Sequence, residues 1–553
     1  MPWILFVVLV SFQCNKKSNP VVPPAPKQIA VKNLSLNNVS FDNTIYGVNT
    51  LPVIKIEFTE PVDQSSIAAA LKITSSGGVD ATLNSVLQNH DSALVIQSSS
   101  PLNYLTKYFF KITTALKSAS GGSFNAPVDK IFFTQIDSSR KFPAISDNAL
   151  LDLVQQQTFK YFWDYGHPVS GLARERSNST PETVTSGGSG FGIMSIPVAV
   201  SRNFITRQEG LTRVQTIVAF LKNTAQKFHG AFPHWLNGTT GVVIPFSQKD
   251  NGADLVETSY LMTGLLTARQ YFNAADAAET TLRSDITTLF NNVEWDWFRN
   301  GGQNVLYWHW SPNYNWDMNF PIRGWNECLI TYVMAASSTT HGIPASVYSN
   351  GWTANGANGF TNGNTYYSYQ LPLGPSYGGP LFFSHYSFLG INPNGLSDTY
   401  ANYQLQTRNH TLINYEYCKA NPKFWYGYSD SCWGLTASDI QNGYTASSPT
   451  NDVSVIAPTA ALTSFPYSPA ESMKALKFFY YVLGDKLWST YGFRDAFSLK
   501  DIWFADSYLA IDQGPIIVMI ENYRSGLIWN LFTSCPEVKN GMKNVLGFTA
   551  PYL

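Results

Sequence analysis

The sequence predicts two folds in tandem: a small all-β sandwich, then a large all-α domain of helical hairpins closed into an α/α toroid. Three observations carry this reading. Short alternating strands crowd residues 28–137, about seven of them by their turn spacing. From residue 146 onward, apolar residues recur with helical period in roughly a dozen segments. Long aromatic and Gly-rich loops, such as 351–379, interrupt those segments and need a large scaffold to sit on. At 553 residues the chain is too long for one ordinary domain.

The first residues read as an address. Residues 3–12 are an apolar run too short to span a bilayer. The run is followed by Gln13, Cys14, a polar Asn-Lys-Lys-Ser-Asn string and a Pro-rich stretch to Pro26. This pattern resembles a bacterial lipoprotein signal over residues 1–14, with Cys14 as the lipidated residue and 15–27 as linker. Two features depart from it: Gln13 stands where a small residue is usual, and no Lys or Arg precedes the run. The expectation is an exported protein of the periplasm or cell surface, touching membrane only through that lipid.

Over 28–137 the clearest strands are VIKIEF at 53–58, ALVI at 93–96 and YFFKI at 108–112. SSGG at 75–78 and SGG at 120–122 supply turns. The strings EFTEPVD, PLNYLTKYFFKI and FFTQ resemble bacterial immunoglobulin-like modules, which act as spacers. A carbohydrate-binding role is the sharper alternative, but no aromatic cluster demands it. Residues 138–145 form a polar linker, and 146–553 the helical domain.

Helical segments are expected at 150–165, 191–202, 211–228, 255–272, 282–290, 325–336, 399–418, 472–483 and 516–532. Ser146 is expected to cap the first. Thr206 and Ser468, each three residues before a Glu, fit the capping-box pattern, the second with Pro469 at the first helical position.

Composition narrows the ligand. A net charge of −1 gives no reason to expect nucleic acid. Charged residues are only 13% while aromatics reach 14%, a balance suited to a neutral polyhydroxylated ligand and equally to plain packing. With no CxxC and no HExxH, the sequence presents no metal site, and no cofactor is expected. A Cys418–Cys432 bridge and buried free thiols are both open.

Four stretches could carry chemistry. DNGADLVETSY at 250–260 gathers Asp250, Asp254 and Glu257 at the start of an apolar helix. That suits acid/base hydrolysis and equally an N-cap, since carboxylates at a helix start bind free N–H groups. VLYWHWSPNY at 305–314 sets His309 between Trp308 and Trp310 ahead of a turn, where packing and ligand contact are both open. RGWNECLI at 323–330 puts Glu327 beside Trp325; desolvation there would raise its pKa as a general acid requires. A cap, or a partner for Arg323, is the plainer reading. LAIDQGPIIVMIENYR at 509–524 holds Asp512, by default a cap, and Glu521, expected to pair with Arg524.

Longer strings add a resemblance. YFWDYGHPVSGLARERSN, GGSGFGIM, GAFPHW, DNGADLVETSYLMTGLL, YWHWSPNY, RGWNECLITYV, GGPLFFSHYSFLG, WGLTASD and IDQGPIIVMIENYRSGLIW resemble the glucoamylase-like domain of glycoside hydrolase family 144, the β-1,2-glucanases. The resemblance runs from about residue 150 to 548. It implies an (α/α)6 toroid that hydrolyses β-1,2-glucan with inversion, releasing sophorose or short oligosaccharides. It places the acidic cluster on Asp250, Asp254 and Glu257, with Glu327 and Asp512 as further pocket acids. Glu327 is expected on the acid side and Asp250 or Asp254 as the water-activating carboxylate. Trp308, Trp310, Trp325, Tyr386 and Trp433 are the expected sugar platforms, with Arg323 and His309 as hydroxyl donors. The expected partner is therefore a neutral β-glucan. Rival readings are a non-catalytic glycan-binding lipoprotein and a polysaccharide lyase, the latter disfavoured by the scarcity of Lys and Arg.

Overall fold

The computed structural model describes residues 1–10 and 25–553, so the Cys14 signal lies outside the described residues. The chain divides into two compact units, Met1–Ile136 and Asp137–Leu553.

The first unit is a two-sheet sandwich. Its strands are β1 (Val31–Leu36), β2 (Val39–Ser40), β3 (Ile45–Val48), β4 (Val53–Phe58), β5 (Leu71–Ser75), β6 (Leu83–Gln88), β7 (Ala93–Ser98), β8 (Lys107–Ile112) and β9 (Val128–Thr134). One sheet runs β2-β1-β4-β7-β6 and the other β3-β9-β8-β5. Strict alternation drives the pairing. On β4, Ile54, Ile56 and Phe58 are buried while Lys55 and Glu57 are exposed, and the register sets Ile54 and Ile56 opposite Ile96 and Leu94. Phe110, Ile112 and Phe132 close the core from the other sheet. These nine strands exceed the seven expected because β2 is two residues long and β6 buries none of its side chains, so neither leaves an apolar stripe in the sequence.

The second unit is helical. Its longer helices are α1 (Asp147–Trp163), α2 (Ser186–Ser201), α3 (Arg207–Asn223), α4 (Leu255–Tyr271), α5 (Ala277–Asn291), α6 (Leu329–Ser337), α7 (Tyr403–Ala420), α8 (Pro458–Thr463), α9 (Pro469–Lys477), α10 (Ala510–Arg524), α11 (Leu527–Thr533) and α12 (Pro536–Asn540). Ser146 caps α1 through the Ala149 N–H, and Thr206 and Glu209 form a full capping box on α3. Ser468 makes no such bond; Pro469 at the first position starts α9 by itself. The expected 516–532 helix is two, because Gly526 turns the chain with φ +70° between α10 and α11. Glu521 does not pair with Arg524. It takes two hydrogen bonds from Arg202, at 2.7 and 2.9 Å, while Arg524 reaches Asp152 and Gln155. Cys328, Cys418, Cys432 and Cys535 are all free and buried. Among the described residues no helix is long and apolar enough to cross a membrane.

Helices α2 and α4 form the centre on which the site is built, and they are buried along almost their whole length. Small residues let their backbones touch. A Cβ on Gly190 would fall 2.2 Å from the Tyr260 carbonyl oxygen, and one on Gly264 would fall 2.2 Å from that of Gly190. Helix α10 packs on the other side of α2, bringing Asp512 to the same end as the head of α4.

Candidate active site

At the head of α4 the chain passes through a two-residue strand, β10 (Ala253–Asp254), paired antiparallel with β11 (His309–Trp310). Register sets Asp254 opposite His309. Asp254 is the N-cap of α4: Oδ1 accepts from the Val256 and Glu257 N–H groups at 3.0 and 2.9 Å. Its other oxygen, Oδ2, faces His234 Nδ1 at 3.1 Å and His309 Nε2 at 3.7 Å. The capping reading of this residue therefore holds, and the same carboxylate faces two imidazoles. Glu257, one turn on, accepts from the Gly187 N–H at 2.7 Å. That approach needs glycine, since a Cβ on Gly187 would lie 2.4 Å from Glu257 Oε2. Asp250 is buried in the preceding loop with Oδ2 3.5 Å from His309 Nε2, and its Oδ1 has no partner.

Burial and neighbouring charge set the protonation of this group. Burial opposes the charged form of His234, but the charges of Glu257 and Asp254 lift its pKa to about 9. Burial likewise works against the Asp254 carboxylate, yet the His234 hydrogen bond and the nearby His309 hold its pKa below the ordinary value. Burial and the charge of Asp254 push Asp250 up to about 7. Burial also holds His309 below its usual value.

Glu327 lies half-buried in the turn before α6 rather than on the helix. Its carbonyl oxygen accepts from Ser387 Oγ at 2.5 Å and Tyr260 Oη at 3.4 Å, which fixes its backbone. Burial, with the charges of Glu257 and Asp254, raises its pKa to about 7. Among the described residues it has no ion pair with Arg323, which is exposed.

A second acid group surrounds Asp512. Asp512 is buried on the first turn of α10 without capping it, and its carboxyl has no partner but that of Asp495. Asp495 lies beside it, and burial together with mutual repulsion raises both, Asp495 to about 7. Asp495 accepts from the Asp439 N–H at 2.7 Å. Asp439, on β12 (Ala437–Ile440), takes Arg176 Nη1 at 3.1 Å and Ser507 Oγ at 2.5 Å. Arg176 also binds its neighbour Glu175 at 3.0 Å. The two acid groups feel one another: Glu175 lies within the fields of both His234 and Asp439, and Tyr386 within those of Asp512 and Glu327. Beside Asp439 opens a hollow of about 580 Å³ lined by Arg176, Asn178, Gln441, Tyr444, Trp503 and Asp506. That is a size for a small ligand.

The expected sugar platforms divide. Trp433 is fully buried, donating to the Glu471 carbonyl and packing on Tyr415, and Trp325 is 4% exposed among Trp352, Phe360, Phe388 and Tyr403. Both are core residues, held there by the same apolar drive that buries their neighbours. Trp308 and Trp310 are half-buried, Trp310 against Trp297 and His229. Tyr386 packs between Phe191, Tyr260 and Phe382. The exposed aromatics are others: Phe246, 50% exposed, stacks on His234 at 4.3 Å, and Phe320, 51% exposed, lies over Trp308 and His309. The residue reading also passed over His234, Glu175, Arg176, Asp439 and Asp495. The first four lie inside the strings GAFPHW, GLARERSN and WGLTASD, whose density of polar residues among Gly and aromatics was the available signal.

Comparison with known proteins places the chain among relatives. Residues 319–536 match the Glycoamylase family model, described as "Putative glucoamylase", and residues 31–135 match the bacterial Ig-like domain. An endo-β-1,2-glucanase from Chitinophaga pinensis, solved with sophorotriose and glucose, is 52% identical; the match covers 74% of this chain and all of that one, with a TM-score of 0.72. The chain belongs to glycoside hydrolase family 144. A β-1,2-glucanase from Parabacteroides distasonis is 38% identical; the match covers 95% of this chain and 74% of that one, with a TM-score of 0.71. An exo β-1,2-glucooligosaccharide sophorohydrolase from the same species is 45% identical over 431 residues; the match covers 74% of this chain but only 60% of that relative's length.

Proposed function

We propose that this protein hydrolyses β-1,2-glucan with inversion, with Glu327 as general acid and Asp512 as the carboxylate that activates water. The observation that carries this is the split among its acids. Glu327 keeps a proton near neutrality because it is buried near other carboxylates. Asp254 has its oxygens engaged by two N–H groups and His234, whereas Asp512 meets only the carboxyl of Asp495 and has an oxygen to spare for a water. Buried carboxyls as close as Asp495 and Asp512 hold one proton between them and retain one charge. That charge takes the proton of the attacking water while Glu327 gives its own to the glycosidic oxygen. Attack from the face opposite the leaving group inverts the anomeric carbon. The relatives that act on this linkage support the choice of glucan.

The ring arrangement belongs to the same proposal. Helix α2 packs on α4 and α10, α4 on α6, and α10 on α8, as an (α/α)6 toroid requires. Export with lipidation at Cys14 is a further part of it; Cys14→Ser should release the protein from the membrane fraction.

The deciding experiment incubates the full chain with β-1,2-, β-1,3-, β-1,4- and α-1,4-glucans and follows product length and anomer by NMR. Only β-1,2-glucan should be cleaved, with α-anomeric ends appearing first. No new reducing ends would leave a glycan-binding lipoprotein, and an unsaturated, ultraviolet-absorbing product would make it a lyase. Initial β-anomers would remove the inverting mechanism.

A further inference from the structure

Beneath the rim formed by Phe246 and Phe320, the ligand-type atoms of His234, Asp250 and Asp254 converge, with His309 beside them. His234 Nδ1 lies 3.1 Å from Asp254 Oδ2, and His309 Nε2 lies 3.5 Å from Asp250 Oδ2 and 3.7 Å from Asp254 Oδ2. The ligand atoms of His234, Asp250 and Asp254 are all within 4.8 Å of one another. A tetrahedral zinc ion with bonds of about 2.0–2.1 Å holds its ligand atoms about 3.4 Å apart. The 3.1 Å between His234 Nδ1 and Asp254 Oδ2 lies close to that value.

We propose that His234, Asp250 and Asp254, with His309 beside them in the outer sphere, form a site for a borderline divalent cation such as Zn²⁺, and that metal and glucan exclude one another there.

Asp250 points to a cation independently of this clustering. It is 4% exposed, its Oδ1 has no donor among the described residues, and its Oδ2 meets the edge of His309 at 3.5 Å. A buried carboxylate without a hydrogen-bond donor is costly, and a metal ion is one of the few groups that would compensate it. The outer sphere is also in place. The Val256 and Glu257 N–H groups fix Asp254 through Oδ1, leaving Oδ2 turned to the imidazoles, and the β10–β11 pairing holds His309 opposite. An imidazole among the ligands favours zinc or copper over calcium or magnesium, which take oxygen ligands almost alone. A glycosidase of the proposed mechanism needs no metal, so the ion would act as an inhibitor. It would tie up the imidazole and carboxylate edges that otherwise face the sugar. The exclusion of glucan rests on the function proposed above; the metal site does not.

The test uses full-length, chelator-treated protein and Co²⁺ as a spectroscopic stand-in for Zn²⁺. One Co²⁺ per chain should give the intense visible bands of a tetrahedral site, and one equivalent of Zn²⁺ should bleach them. His309→Gln and Asp250→Asn, checked for folding by circular dichroism, should weaken Co²⁺ binding by at least the roughly 10–100-fold that losing an outer-sphere partner costs. His341→Gln, at an exposed His–Asp pair elsewhere, should leave binding unchanged. Absence of tetrahedral bands, or equal binding by the wild type and both site variants, overturns the site. This readout is independent of turnover, so it stands or falls apart from the hydrolase reading. In the wild type, Zn²⁺ should raise the apparent KM for β-1,2-glucan without lowering kcat. A fall in kcat at unchanged KM overturns the exclusion.

Discussion

The carboxylates at the head of α4 and those around Asp512 are chemically alike but live in opposite circumstances. Asp254 has two backbone donors and two imidazoles around it, and it stays ionised although fully buried. Asp512, as deeply buried, has no partner but the carboxyl of Asp495, so the pair holds a proton where Asp254 gives its own up. Burial is common to both; donors decide the outcome. Asp254 is therefore fitted to carry fixed negative charge, and the Asp495–Asp512 pair, with Glu327, to move protons.

The comparison breaks most sharply at Glu327 and Asp512. Glu327→Gln should lower kcat on β-1,2-glucan by roughly 10²–10⁴-fold, the range of a positioned proton donor. Much of that loss should return on an aryl β-sophoroside, whose leaving group needs no proton. Asp512→Asn should lose a similar factor and recover nothing on the aryl substrate. Equal recovery in both variants would mean that the two roles are not divided in this way.

Alkaline pH tests the same division without mutation. The pKa of Glu327 is raised from 4.5 to about 7, so its contribution to stability is complete below about 4.5 and is lost as pH rises through about 7. Its general-acid proton is lost over the same upper range. Turnover should therefore fall as pH passes about 7, and Glu327→Gln should abolish that limb in what activity remains. An unchanged alkaline limb in the variant would assign it to another group.

How much of this was legible in the residues depends on what each feature needs. The sandwich strands and most helices follow from local alternation and caps such as Thr206–Glu209, and the structure keeps them. Asp250, Asp254 and Glu257 were legible because eight residues of sequence hold all three. Trp325 and Trp433 were misread, because an aromatic residue near an acid looks the same in sequence whether it lines a cleft or a core; only the packing of Trp352, Tyr403 and Tyr415 around them decides. Asp495 and Asp439 were invisible for a different reason. Their roles come from a hydrogen bond between residues 56 apart, and no local pattern encodes it.

Asp254 should show the head of α4 as structure before chemistry. Asp254→Ala removes the cap, at about 0.5–2 kcal/mol for such a loss, and leaves His234 without its hydrogen-bonded partner. The urea midpoint should drop while Asp512→Asn leaves it unchanged or raises it, since the latter relieves repulsion with Asp495.

The smallest effect belongs to the rim. Phe246 stacks on His234 with half its surface exposed, so its removal opens no core cavity. If a sugar ring rests on it, Phe246→Ala should raise KM for β-1,2-glucan by the equivalent of about 0.5–1.5 kcal/mol, the usual worth of such a ring contact, at constant kcat. A change in kcat instead would mean that the ring works through the imidazole beneath it, orienting His234 toward Asp254. Phe320→Ala separates the two, because that ring lies over His309 and Trp308 and leaves the His234–Asp254 bond alone. A shared KM effect from both phenylalanines would place sugar across the rim; a kcat effect confined to Phe246 would place it elsewhere.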